Sequence, residues 1–188
     1  MSGSLFLFGL LLAGTGLMRL GEVVVSARRM RGKRDDVVAE PWLFPAMVVL
    51  HLAFVVAPWM EVWLLQRPFS GWVGGAALAV LFGATVLRIW TLRTLGRAWN
   101  VRVVRPGADA VVTTGPYAWI RHPNYLVVIL EIGALPMVHG AWLSALGLSV
   151  FNAVVLSARI RTEEATLEQL PAWRSAMSKR ARLVPGVF

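Results

Sequence analysis

The sequence predicts an all-α, polytopic integral membrane protein with about five transmembrane helices, the last two folded back as a hairpin. Three observations predict it. Apolar residues make up 57% of the 188 and charged residues only 15%, with a mean hydropathy of +0.63; a soluble domain of this size needs more polar surface. The apolar residues gather into five segments of spanning or near-spanning length. The cations fall between those segments, on alternate connections.

The segments run from about Ser4 to Ser26, Trp42 to Leu65, Gly71 to Leu95, Asn124 to Val138 and Ala141 to Ile160. No basic residue precedes the first, while Arg28, Arg29, Arg31, Lys33 and Arg34 follow it. That is the wrong polarity for a cleavable signal peptide and fits a retained helix with its N-terminus outside. The first three segments reach the roughly 20 residues that a helical crossing requires. The fourth is marginal, and His139-Gly140 divides it from the fifth, which reads as a tight helical hairpin with its tip near the far surface.

The charges test this layout. The connection after the third segment carries Arg97, Arg102, Arg105 and Arg121, and the C-terminal tail carries Arg174, Lys179, Arg180 and Arg182. The two opposite connections hold only Arg67. One topology puts every cation-rich connection on the cytoplasmic side, with the C-terminus inside. The chain reads as one domain over 1–188: three N-terminal helices in 1–95, then a Gly/Pro-punctuated loop, the hairpin and a C-terminal segment in 96–188. In that segment Pro171 breaks or starts an element, and Trp173 to Leu183 looks amphipathic.

The formal net charge of +9 would suggest nucleic acid in a soluble protein. Placed between apolar runs, the cations read instead as anchors beside anionic membrane lipids, and no nucleic-acid partner is expected. The absence of cysteine excludes disulfides, thiol catalysis and thiolate-bound zinc. His51, His122 and His139 lie far apart in sequence, so no catalytic metal is expected.

Several charges fall inside the apolar segments. Arg19 and Glu22 are three residues apart on one helix face and can neutralise each other. Arg88 and Glu131 lie deeper and each needs a partner or a wet cavity, although Arg88 could snorkel to the interface. Glu131 is a candidate to line a functional cavity and touch the substrate. His51 and Glu61 read as structural or interfacial.

Two polar clusters could do chemistry. The first is "TTGPYAWIRHPNY", where Gly115-Pro116 turns the chain and Pro123 suits the first turn of a helix. The free N–H groups of that turn attract anions, beside Arg121 and His122. An Arg, a Trp and a Tyr at the headgroup level also serve simply as an interfacial anchor. The second is "RIRTEEATLEQL", where Arg159 and Glu163 share a face and Glu164 adjoins them. Alone it reads as a solvated helix end. A hairpin makes the two clusters neighbours, so that both signs of charge converge at the membrane surface.

"GPYAWIRHPNY" followed by "RIRTEEATL" and a basic C-terminus resembles the isoprenylcysteine carboxyl methyltransferase family, from about Leu95 to Pro185. The resemblance implies S-adenosyl-L-methionine (SAM) as methyl donor, held on the cytoplasmic side by the loop before the fourth helix and the end of the fifth. Carried onto this chain, the donor contacts include Asp109, Ala110, Val111 and Val112, then Tyr117, Arg121, His122, Pro123, Asn124 and Tyr125, with Glu163 and Glu164. Arg159 would face the substrate, and Arg159 and His122 are the catalytic candidates. The chain departs from the family pattern at Arg102, Asp109, Val127 and Trp173, where another polar residue, a histidine, a glycine and a tyrosine are usual.

The donor carries a carboxylate, an ammonium and a sulfonium, so its pocket needs both signs of charge and aromatic surface. Helix-start N–H groups and Arg121 suit the carboxylate, and Glu163 the ammonium or ribose hydroxyls. Tyr117 and Tyr125 suit the adenine or sulfonium. The implied reaction is O-methylation of a lipophilic, prenylcysteine-like carboxylate in a bacterial inner membrane. A phenolic or polyketide lipid and a phospholipid amine are alternative acceptors. A membrane scaffold or channel subunit is the non-enzymatic alternative.

Overall fold

The computed structural model describes residues 3–31, 42–103 and 111–185. Helices α1 (Gly3–Arg29), α2 (Leu43–Leu64), α3 (Gly71–Leu95), α4 (Pro123–Met137), α5 (Trp142–Leu167) and α6 (Pro171–Met177) follow in chain order. No strand occurs among the described residues, only an isolated bridge between Ile120 and Ala181. The all-helical, polytopic expectation holds. Asp109 and Ala110 lie outside the described residues.

All five expected apolar segments form helices. Four helices (α1, α2, α3 and α5) are long and apolar enough to cross a membrane. The remaining one, α4, has 15 residues, about 22 Å of helix against the ~30 Å of a hydrocarbon core. Its start is fixed by Pro123 and its end by the hairpin turn, where Gly140 takes φ +71°. A side chain there would need the left-handed conformation and would press on the Pro68 carbonyl at 3.2 Å. The hairpin itself is as expected, with α4 packed between α3 and α5.

Phe8 and Leu12 of α1, Leu50 and Phe54 of α2, Ile132 and Leu135 of α4, and Leu148 of α5 form one apolar core. At the hairpin end, Glu61 of α2 accepts the Leu143 and Ser144 N–H groups at 3.2 and 2.6 Å. It thereby caps α5 from a neighbouring helix and satisfies donors that the helix start leaves open. Arg67 balances its charge at 2.9 Å.

The charges buried among the helices pair with one another. Arg88 on α3 meets Glu22 of α1 and Glu131 of α4, each at 2.7 Å. Arg19 meets Glu22 at 2.9 Å and also pairs with Glu131. Two cations and two carboxylates therefore form a neutral quartet joining α1, α3 and α4. Snorkelling is not what Arg88 does: it is only 3% exposed, held inward by both glutamates. In a low-dielectric surrounding each charge is tolerated only with its partners present.

α5 continues as helix seven residues past Ile160, through "RTEEATL". Glu163 and Glu164 thus stand on a rigid rod rather than on a frayed end. Pro171 occupies the first turn of α6, as its missing N–H allows, and Trp173 and Met177 of that helix are buried. Beyond α6 the chain runs beside the loop that precedes α4. Ala181 and Arg182 carbonyls accept the Arg121 and His122 N–H groups, both at 2.9 Å.

Candidate active site

The loop before α4 is set by sterics. Gly115 has φ +58°, and a Cβ there would sit 2.5 Å from Thr94 Oγ1 and 3.1 Å from Trp90 Nε1. Only glycine lets the backbone lie this close to α3. One tight helical turn, Gly115–Ala118, follows, and His122 then caps α4 with its carbonyl accepting the Tyr125 and Leu126 N–H groups. The C-terminal segment braces the turn from outside: Arg180 donates to the Tyr117 carbonyl, and Arg121 Nε donates to the Arg180 carbonyl at 3.0 Å.

The two polar clusters meet where α4 begins and α5 ends. The His122 ring stacks on Tyr125 with centroids 5.2 Å apart, and His122 Nε2 lies 3.1 Å from Glu164 Oε1. Arg121 and Arg182 reach the same glutamate at 3.0 and 2.9 Å. The Tyr125 hydroxyl donates to Glu163 and accepts from Arg159 Nε at 2.8 Å. Arg159 is fixed further by the Val101 carbonyl and the Met47 sulfur. Burial, and then the Glu163 charge, push the Tyr117 phenol well above its ordinary range, so it remains a hydroxyl donor.

These groups wall a cavity of about 640 Å³. Val111, Val112, Tyr117, Arg121, His122, Asn124, Tyr125, Arg159 and Glu163 all line it. Two fully buried polar atoms on its walls, Asn124 Oδ1 and Trp99 Nε1, have no partner among the described residues. Such atoms are rare in folded proteins and mark places where a ligand or water completes the bonding.

Three expected site residues stand elsewhere. Pro123 is buried at the helix start, where it shapes the backbone. Glu164 faces the loop and tail, engaged by His122, Arg121 and Arg182. Glu131 lies on a smaller cavity of about 270 Å³ beside Leu10, Thr15 and Thr85, with Arg19 and Arg88 upon it. The adjacent glutamates therefore face different ways, one into the cavity and one onto its supports.

Other lining residues lie outside the two quoted polar clusters. Asn100 and Trp99 come from the loop after α3, Asn152 from α5, and Trp173 from α6. Arg102 covers the Phe44 ring at 4.1 Å. The far wall is built by α1 and α2, with Gly16, Leu20, Val48, Leu52 and Val55. A lone Asn in the apolar stretch of α5 was the available signal for one of these.

The family model of the isoprenylcysteine carboxyl methyltransferases (ICMT) matches residues 76–169, a segment that contains most of α3, the loop, α4 and α5. The "Uncharacterized protein YpbQ" of Bacillus subtilis (strain 168) is 41% identical over 128 residues, covering 67% of this chain and 74% of that relative. The chain belongs to the isoprenylcysteine carboxyl methyltransferase family, a family of membrane methyltransferases.

Proposed function

We propose that this protein is an S-adenosyl-L-methionine-dependent O-methyltransferase that methylates the carboxylate of a lipophilic, prenylcysteine-like acceptor drawn from the bilayer. The observation that carries the reading is the cavity of about 640 Å³, polar where α4 meets α5 and mostly apolar where α1 and α2 wall it, Arg19, Glu22, Arg29 and His51 being the exceptions there. A water-soluble donor and a lipid acceptor need such a two-sided chamber.

The residues present fit the donor. Asn124 Oδ1 is a buried acceptor awaiting a donor group such as an ammonium or adenine amine. Glu163 contributes negative charge, Arg121 positive charge, and Tyr117 and Tyr125 aromatic surface. When bound, SAM supplies an electrophilic methyl group.

The chain's own contribution is positioning. A carboxylate acceptor is ionised at neutral pH and requires no base. Arg159 can grip it through a planar fork of donors. Its side chain is already locked by Tyr125, Val101 and Met47, so little orientation remains to be lost on binding. Trp173 and Met177 of α6 close the wall at the polar end and help exclude water.

The cation-rich helix ends support a cytoplasmic site with the N-terminus outside, in a bacterial inner membrane. Arg29 at the end of α1 donates to the Gly96 carbonyl at the end of α3, at 3.0 Å, so those ends share one side.

The His122–Glu164 contact favours a second reading, since an imidazole oriented by a carboxylate is the usual form of a general base. A phenolic or enolic lipid would use it.

Transfer of isotopically labelled methyl from SAM to S-farnesylcysteine, followed by mild alkali, tests the proposal. Alkali-labile label released as methanol is expected, because a carboxyl methyl ester hydrolyses. Alkali-stable label in endogenous lipid would overturn the carboxylate reading in favour of an ether or amine product.

A further inference from the structure

The cavity continues past Arg159 into the membrane-spanning part of the fold, where its walls should be hydrocarbon. Along α2 the wall residues are Phe44, Met47, Val48, His51, Leu52 and Val55, one stripe at helical spacing. His51 is its only ionisable member. Across from it, α5 presents Asn152, Val155 and Leu156, and here the polar member is Asn152.

Two contacts fix the relative depth of these residues. Met47 touches Arg159, and Glu61 touches Leu143 and Ser144. α2 and α5 are therefore antiparallel neighbours, and between those anchors His51 falls opposite the Asn152–Val155 turn. His51 is one helical turn beyond Met47, and Asn152 two turns beyond Arg159, about 6 and 10 Å along their axes.

Both residues have bonding capacity unused by the protein. Asn152 is 4% exposed, lines the cavity, and makes no hydrogen bond to a described residue. His51 Nδ1 lies 2.7 Å from the Met47 carbonyl. A carbonyl can only accept, so Nδ1 carries the hydrogen and the neutral ring offers Nε2 as an acceptor. An amide and an imidazole left open in hydrocarbon are each unfavourable by more than an apolar side chain would be. Arg19 and Glu22 border the same region; their charges are paired within the quartet, while Arg19 Nε has no partner among the described residues.

We propose that His51 and Asn152 form a second polar subsite, which binds a hydroxyl carried along the apolar part of the acceptor. The subsite rests on the reading of this cavity as the acceptor chamber, and it defines the acceptor further: a lipid polar at the methylated end and again roughly one to two helical turns deeper. Nε2 accepts from a hydroxyl, and the Asn152 amide donates to its oxygen. α2 and the His51 end of the subsite lie outside the family-matched residues 76–169, so the subsite can set this chain's own selectivity.

Native mass spectrometry of the detergent-purified full chain tests this. Hexadecanoic acid is offered together with one monohydroxyhexadecanoic acid at a time, the hydroxyl moved stepwise along the chain, and the ratio retained is read. A mid-chain isomer is expected to be retained about tenfold better than isomers hydroxylated near either end, the effect of one neutral hydrogen bond. Asn152→Leu and His51→Leu should each flatten that profile, with bound S-adenosyl-L-homocysteine measuring the folded fraction. A flat profile in the wild type, a peak that survives both substitutions, or no retention of any acid overturns the subsite. Loss of S-adenosyl-L-homocysteine binding by the wild type would instead overturn the methyltransferase site on which it rests.

Discussion

Arg159 Nε donates to the Tyr125 hydroxyl at 2.8 Å, and the same hydroxyl donates to Glu163. One phenol thus couples a guanidinium at the edge of the apolar chamber to a carboxylate in the polar one, and ties α4 to α5 at the mouth of the hairpin. Tyr125→Phe keeps the ring and its stacking on His122 but removes both bonds. Turnover with labelled SAM should fall about 10- to 100-fold, the loss of one or two bonds to charged groups. Unchanged turnover would show that the relay is incidental.

The twin glutamates should separate experimentally. Glu164→Gln weakens the ion pairs with Arg121 and Arg182 that hold the tail against the loop. Limited proteolysis should then cut residues 178–185 faster. Glu163→Gln should leave that cleavage rate unchanged while impairing donor binding. Equal proteolytic sensitivity of the two variants would contradict the division.

Gly115→Ala should be severe for a residue that touches no charged group. Its Cβ would meet Thr94 Oγ1 at 2.5 Å, and φ +58° is unfavourable for alanine. The loop must move away from α3, carrying Tyr117 and His122 with it. Affinity for S-adenosyl-L-homocysteine should drop at least tenfold, a shift of about 1.4 kcal/mol, in protein that still purifies as a folded species. Wild-type affinity would mean that the close approach is unimportant.

The buried quartet predicts non-additive stability. Arg88→Met alone leaves Glu131 and Glu22 short of a cation, and Glu131→Met alone leaves Arg88 and Arg19 short of an anion. Each should destabilise by about 3–5 kcal/mol, the usual effect of stranding a buried charge. The double substitution keeps the Arg19–Glu22 pair and neutrality, and thermal unfolding in detergent should find it more stable than either single variant. Additive losses would contradict the neutral-quartet description.

The sequence made the helical architecture legible because a helix crossing hydrocarbon must be long and apolar, and the cations between segments gave an independent check. The hairpin was legible from His139-Gly140, since the turn requires a residue tolerant of positive φ. The short length of α4 was legible too: Asn124–Val138 has the same 15 residues as the helix observed, although composition does not reveal that it packs between α3 and α5. At the site, Tyr125, Arg159 and Glu163 were legible because helical spacing and the hairpin together bring them into one place. The opposite facings of Glu163 and Glu164 were not, because they depend on where Arg182 returns from the tail. Glu131 misled for a related reason: a lone buried carboxylate reads as functional until Arg19 and Arg88, distant in sequence, are seen upon it.

In the proposed site the loop before α4 and Glu163 of α5 grip one methyl donor. Isothermal titration of S-adenosyl-L-homocysteine into the purified protein, beside its Glu163→Gln and Asn124→Ala variants, tests it most directly. The account predicts a dissociation constant of order micromolar for the wild type, in the range usual for enzyme substrates, and loss of measurable binding in Glu163→Gln, with clear weakening in Asn124→Ala. No heat with the wild type, or equal affinity across all three proteins, would contradict it.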